Sequence, residues 1–329
     1  MKTAKGTLSA IGLLLLTVAI VRLPLSAATT GHFERTLQVS GPVDLDVVSG
    51  SGNITVHTGA SGSVLVSAKI RASNSWLFGG GDADEKIRRI EQKPPVEQQG
   101  NRIRIGHVDD HDLLRNISID YDLTVPTETR LSSQTGAGDQ TISGVRLPLS
   151  AKTGSGNITV ENVVGDARVT SGSGDLKING VKGSLHAETG SGTIHGDGVA
   201  GEIAASTGSG NVEVHQSAEG DVKVSTGSGN VRLYGIHGGL RAETGSGDIQ
   251  AEGEVTHDWR LGAGSGNITL HLPAQASFDL DARTSSGTLR LNRPVTTQGT
   301  ISKNHIQGKV GSGGVILEVH TGSGDIALN

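Results

Sequence analysis

Residues 154–192 read GSGNITVENVVGDARVTSGSGDLKINGVKGSLHAETGSG. Gly-Ser-Gly followed by Asn, Asp or Thr starts here at Gly154, Gly172 and Gly190, and the text between copies alternates. In the unit that begins at Gly172, Leu176 and Ile178 share one side, and Asp175, Lys177 and Asn179 take the other. A corner at residues 180–183 carries Val181. After it Leu185, Ala187 and Thr189 continue the inner side, with Ser184, His186 and Glu188 outside. A period of two marks a half-buried strand, so each unit is two short strands joined by turns.

Outward from this stretch the tetrad recurs at Gly208, Gly227, Gly245 and Gly264, at intervals of 18 or 19 residues. GAGD at Gly136 extends the series backwards by another 18. Imperfect copies begin at Ser285, Gly311 and Gly322, and an isolated one at Gly50. Superposing the units puts like above like. The first inward position reads Ile158, Leu176, Ile194, Val212, Val231, Ile249 and Ile268. The corner position includes Val163, Val181, Val199 and Ile236. The second strand opens with Ala167, Leu185, Ile203, Val222, Leu240 and Trp259, and continues with Val169, Ala187, Ala205, Val224, Ala242 and Leu261. The expected fold is all-β: a parallel β-helix, or β-solenoid, of 18–19 residues per coil, each coil pairing with the next at about 4.8 Å. Crossover preference favours a right-handed winding. Glycines allow sharp corners with positive φ. The residue after each Gly-Ser-Gly runs Asp139, Asn157, Asp175, Thr193, Asn211, Asn230, Asp248, Asn267, with no two Asp adjacent. That order keeps turn-forming side chains and separates carboxylates that would repel at one coil spacing.

Composition agrees with a narrow core. The 329 residues include 50 Gly and no Cys, and aromatics make up 2%, too few for a thick interior. Absence of Cys excludes disulfides, a Cys-ligated zinc site, a lipid-attachment Cys and a thiol nucleophile. Gly without a three-residue period excludes collagen.

The net charge is −5 with His neutral, and residues 1–28 hold Lys2, Lys5, Arg22 and no acid, so the remainder carries −8. Such acidity argues against nucleic acid as a partner. Residues 1–28 have the parts of a secretory signal: Lys2 and Lys5, an apolar run over residues 11–21, then Ser26 and Ala28 at the small-residue positions of a cleavage site. The run is short for a membrane span and Arg22 interrupts it. A cleaved signal is expected, with a retained anchor as the alternative. No later stretch could span a bilayer, so the mature chain is expected in the periplasm, the outer envelope or the extracellular space.

Three segments are expected: the signal over residues 1–28, irregular N-terminal β coils and a cap over 29–129, and solenoid repeats over 130–329 with a loop inserted near 292–305. Residues 84–92 suit one short helix that Pro94 and Pro95 end. The chain stops in mid-repeat. Either an earlier segment folds over that end, or residues 326–329 remain free to pair with another copy or an envelope partner.

Three passages resemble the bacterial putative-adhesin family of exported β-strand-repeat proteins: residues 121–143 (YDLTVPTETRLSSQTGAGDQTIS), the TGSG(N/D)(I/V) units, and residues 305–329 (HIQGKVGSGGVILEVHTGSGDIALN). The likeness extends over residues 37–329. It implies a β-helix of the cell envelope or surface, usually without assigned activity, and supplies no catalytic motif to carry across. A non-enzymatic binding or structural role without a cofactor is expected.

Candidate sites stand beside plainer readings. Arg168, His186, Lys223, Arg241 and Arg260 form a basic file on the outer face of the second strand, with Ala204 as the gap. An anionic polymer such as an acidic glycan would neutralise the file. Glu188 and Glu243 on the same face could do so internally. His107, Asp109, Asp110, His111 and Asp112 (HVDDHD) are the densest metal-like cluster, against a solvated loop. Trp76, Leu77 and Phe78 are a partner-contact candidate if exposed and a plug of the solenoid end if buried. The Gly-Ser-Gly-Asp units suggest calcium-binding repeats, but those need a nine-residue rhythm with Asp in nearly every turn. A polysaccharide-active enzyme is the remaining alternative; no Ser-His-Asp layout or phosphate-cradling loop is visible.

Overall fold

The computed structural model describes residues 30–72, 82–110, 112–297 and 302–329. From residue 129 to residue 271 the chain winds as a flattened two-sheet solenoid. Each coil gives one strand to a 15-stranded sheet and the next to a 14-stranded sheet. Leu149–Ser155, Ala167–Ser173 and Leu185–Ser191 are successive strands of the larger sheet; Ile158–Val163, Leu176–Val181 and Ile194–Val199 are their counterparts in the smaller one. Neighbours within each sheet are parallel and in register, with Ile158 beside Leu176 and Ala167 beside Leu185. Every residue in the four aliphatic columns is buried between the sheets. Removing a Leu, Ile or Val side chain from water contributes roughly 1.5–3 kcal/mol, so each coil is driven onto the stack chiefly by its inner row.

Close stacking decides the corner chemistry. The third residue of the tetrad has positive φ, +148° at Gly156 and +150° at Gly174. The first has ordinary φ and is glycine for another reason: a Cβ on Gly154 would lie 2.5 Å from the carbonyl oxygen of Gly136, one coil away. Two hydrogen-bonded columns run along this corner. The side-chain oxygen of each Asn or Asp accepts the backbone N–H of its counterpart in the next coil: Asn53 from Asp139 at 2.9 Å, Asp139 from Asn157 at 2.8 Å, Asn157 from Asp175 at 2.9 Å. Inside the corner, buried Thr189, Thr207 and Thr226 donate to the carbonyls of Gly174, Gly192 and Gly210 at 2.9–3.0 Å. Trp259 enters its column because its indole N–H donates to Gly238 O at 2.9 Å.

Both ends depart from sequence order. Val43–Ser51 and Ile54–Thr58 form a coil directly beside that of Thr129–Ala137 and Gln140–Ser143, so the tetrad at Gly50 stacks against Gly136. The strands Ile117–Val125, Ser63–Ala72 and Thr30–Gln38 extend the smaller sheet, the last two antiparallel. A hairpin of Val96–Gln99 and Arg102–Ile105 closes the larger sheet. The helix Ala83–Gln92 buries Ile87 and Ile90, and its Glu91 accepts the His32 N–H of the edge strand at 2.9 Å.

At the other end, Ile316–Ser323 and Ile326–Leu328 slot between the coil of Trp259–Ser265 and Ile268–His271 and the earlier coil of Phe278–Ser286 and Leu289–Leu291. The free C-terminal edge considered above is therefore corrected: Ile326–Leu328 is paired on both sides, and an earlier segment folds over it. Arg293 fastens the three coils, donating to the carbonyls of Pro273 (2.8 Å), Asn329 (2.7 Å) and Leu272. The copy at Gly311 is also corrected. It is a turn beside Ser277, and the tetrad that continues the stack is that of Gly322 against Gly264. Thr296–Thr297 and His305–Val310 pair antiparallel and extend the larger sheet at its edge, beyond Phe278–Ser286. No helix among the described residues is long and apolar enough to cross a membrane.

Candidate binding face

Outward positions of the larger sheet alternate with the buried columns, so their side chains also form files one coil apart. Register places Arg168 beside His186, His186 beside Ala204, Ala204 beside Lys223, Lys223 beside Arg241 and Arg241 beside Arg260. The five basic residues read from the sequence thus share one column. On its corner side runs an acidic column of Asp166, Glu202, Asp221 and Asp258, each two residues before a member of the file. Sequence reasoning passed over these acids, although the repeated acid-x-base pattern (Asp166–Arg168, Asp221–Lys223, Asp258–Arg260) was there to find. Between the two columns lies a shallow trough made of two hollows. Arg168, His186 and Ala204 line one, Lys223, Arg241 and Arg260 the other, and Glu202 belongs to both.

The file is only partly neutralised. Arg241 Nη2 lies 2.7 Å from Glu243 Oε1, and Arg260 reaches Asp258 at 3.3 Å and Glu318 at 3.6 Å. His186 Nε2 is 3.8 Å from Glu188. All are surface pairs worth at most about 1 kcal/mol. Arg168 and Lys223 have no carboxylate within 4.0 Å among the described residues, and Glu202 has no cation within that distance. The neighbouring outer column explains this. Two residues beyond His186 and Arg241 stand Glu188 and Glu243; two beyond Arg168 and Lys223 stand Thr170 and Ser225.

The other candidates disperse. His107 Nε2 lies 3.0 Å from Asp46 Oδ2, without hydrogen-bond alignment, while Arg104 meets its Nδ1 at 3.0 Å. Asp110 turns to Arg89 at 3.5 Å and accepts the Leu113 N–H. His111 lies outside the described residues, as do Trp76, Leu77, Phe78 and the signal segment. Among the described residues no group of three His, Asp or Glu is placed to hold a metal ion. The corner Asp and Asn side chains already give an oxygen to the next coil, which argues for mortar rather than calcium ligation.

One arrangement was not legible in the sequence. Thr124 Oγ1 is 2.9 Å from His57 Nε2, and His57 Nδ1 is 3.5 Å from Asp122. The order is that of a nucleophile relay. The His57 and Asp122 side chains are well exposed, so the relay stands open to bulk water. Elsewhere, burial raises the Asp281 carboxyl, but hydrogen bonds and charge from Arg283 and His305 outweigh it and hold it below the usual carboxylate range. These groups bind the last coils to one another at the end of the same face.

Fold and face together define a two-sheet β-solenoid with columned surfaces. The chain belongs to the Toastrack DUF4097 family, whose model matches residues 19–206 and 194–329. Solved structures similar to it include a putative cell adhesion protein from Clostridium sporogenes (11% identity, 91% of this chain and 99% of that one, TM-score 0.22). Others are a putative adhesin from Bacteroides fragilis (12%, 91% and 97%, 0.30) and a putative lipid binding protein from Parabacteroides distasonis (13%, 91% and 96%, 0.39). No curated protein matches the sequence.

Proposed function

We propose that the protein is a non-catalytic, exported solenoid of the bacterial envelope whose basic file binds an anionic polymer, in the manner of an adhesin. The observation that carries this is the pair Arg168 and Lys223, neither within 4.0 Å of a carboxylate among the described residues, on a rigid column beside a trough. A rigid backbone presents these charges with no backbone segment left to order, only the side chains themselves, which favours binding by a flat, repetitive surface. Arg241 and Arg260, already held by Glu243, Asp258 and Glu318, contribute less.

The test is retention of the purified chain on immobilised acidic polysaccharide across a salt series. Binding should weaken steeply between low and physiological salt, as exposed charge pairs are screened. The double reversal Arg168→Glu with Lys223→Glu should abolish it, and Arg241→Glu should weaken it less. Retention that ignores salt, or survives the double reversal, overturns the reading.

A further inference from the structure

The spacing of the free charges narrows the ligand, on the reading just given. We infer that the trough selects polymers whose acidic groups are widely spaced, and that Glu202 is the residue that rejects densely charged ones. Arg168 and Lys223 are separated by three strand steps in the sheet, about 14 Å at about 4.8 Å per step. Between them the file offers His186, whose Nε2 lies 3.8 Å from Glu188 without a hydrogen bond, and then Ala204, which offers no charge. Beside Ala204 stands Glu202, exposed and without a cation within 4.0 Å among the described residues. In the flanking outer column the same coils carry Ser206 and Ser225, which hydrogen-bond without charge.

Along the axis the face runs cation, imidazole, carboxylate beside a gap, cation. A chain with an acidic group only at every third sugar can seat its charges on Arg168 and Lys223, three strand steps apart. Its neutral hydroxyls then pass over Ala204, beside Ser206. A chain charged at every sugar must bring a carboxylate against Glu202 with no cation to offset it, and loses affinity through that repulsion. The selectivity thus comes from a repulsive element as much as from the two attractive ones.

The experiment compares two galacturonate oligomers of equal length on the purified chain: one methyl-esterified on two of every three sugars, so that only every third carries a carboxylate, and one with every carboxylate free. The sparsely charged oligomer should bind tighter by about fivefold, the scale of one unscreened like-charge contact in water. Glu202→Gln should bring the two oligomers to equal affinity by strengthening binding of the fully charged one. Arg168→Ala or Lys223→Ala should weaken binding of the sparsely charged one, and Lys177→Ala on the opposite sheet should not. These side chains are exposed, so unchanged thermal unfolding verifies each variant. Equal binding of both polymers by the unaltered chain, or no effect of Glu202→Gln, overturns the selectivity while leaving the binding reading in place. Failure to bind either polymer overturns both.

Discussion

Asp175 Oδ1 accepts the backbone N–H of Thr193, one coil further along the stack, at 2.8 Å. The column resumes only with Asn211, which accepts from Asn230 at 2.9 Å, and continues through Asp248 and Asn267 to Asp325. Thr193 makes no such bond to Asn211, so one rung of the corner is missing in the middle of the solenoid.

Thr193→Asn should restore that rung. It also leaves Asp175 without an acidic neighbour. A net gain of about 0.5–1.5 kcal/mol is the scale of one added hydrogen bond, and a raised chemical-denaturation midpoint would register it. An unchanged or lowered midpoint would mean that the Asn211 amide is already content in water.

The first glycine of the tetrad offers a matched pair of tests. Gly154 has the Gly136 carbonyl oxygen 2.5 Å from where a Cβ would lie, whereas Gly50 has nothing within 4 Å. Gly154→Ala should lower stability by about 1–3 kcal/mol, the level of an overpacked core. Gly50→Ala should be close to neutral. Equal losses from both, measured by thermal unfolding, would show that conformational freedom and not coil spacing selects glycine there.

The buried threonine column makes a third prediction. Thr226→Val removes the hydroxyl that Gly210 O receives at 2.9 Å and should cost about 1–3 kcal/mol, the penalty of an unsatisfied buried acceptor. Ala263 occupies the same column position with no hydroxyl. Ala263→Thr should therefore stabilise. Denaturant midpoints of the two variants should move in opposite directions.

Acid should loosen the C-terminal coils first. The folded Asp281 carboxyl lies below its ordinary range, so its contribution is present above the unfolded value and is lost as pH falls through the folded one. Denaturant midpoints should therefore fall from neutral pH into the acid range below about 4, the ordinary Asp value. Asp281→Asn should flatten that segment of the profile. A profile identical to that of the unaltered chain would place the acid-sensitive contact elsewhere.

Much of this was open to reading from residues alone. The columns headed by Ile158 and Ala167 are visible because a strand buries every second residue and a solenoid repeats at fixed length. The file from Arg168 to Arg260 follows from the same register. Partners across coils were harder to see. Whether Arg241 meets Glu243 or a neighbour depends on side-chain reach, and the Asn and Thr hydrogen bonds join residues whose order only the stacked corner reveals. The tetrad at Gly50 looked isolated because sequence distance hides its place against Gly136. The end at Ile326–Leu328 looked open because the text gives no sign that a later segment enters beneath an earlier one.

The seat of that closing segment has a bearing on how the molecule is made. During synthesis, Phe278–Ser286 and Leu289–Leu291 leave the ribosome before the coil on which they come to rest exists. They can settle only when Ile316–Ser323 and Ile326–Leu328 slide in beneath them, after which Arg293 latches the carbonyl of Asn329. A chain without those two strands lacks its keystone, with the lid left to find a false perch.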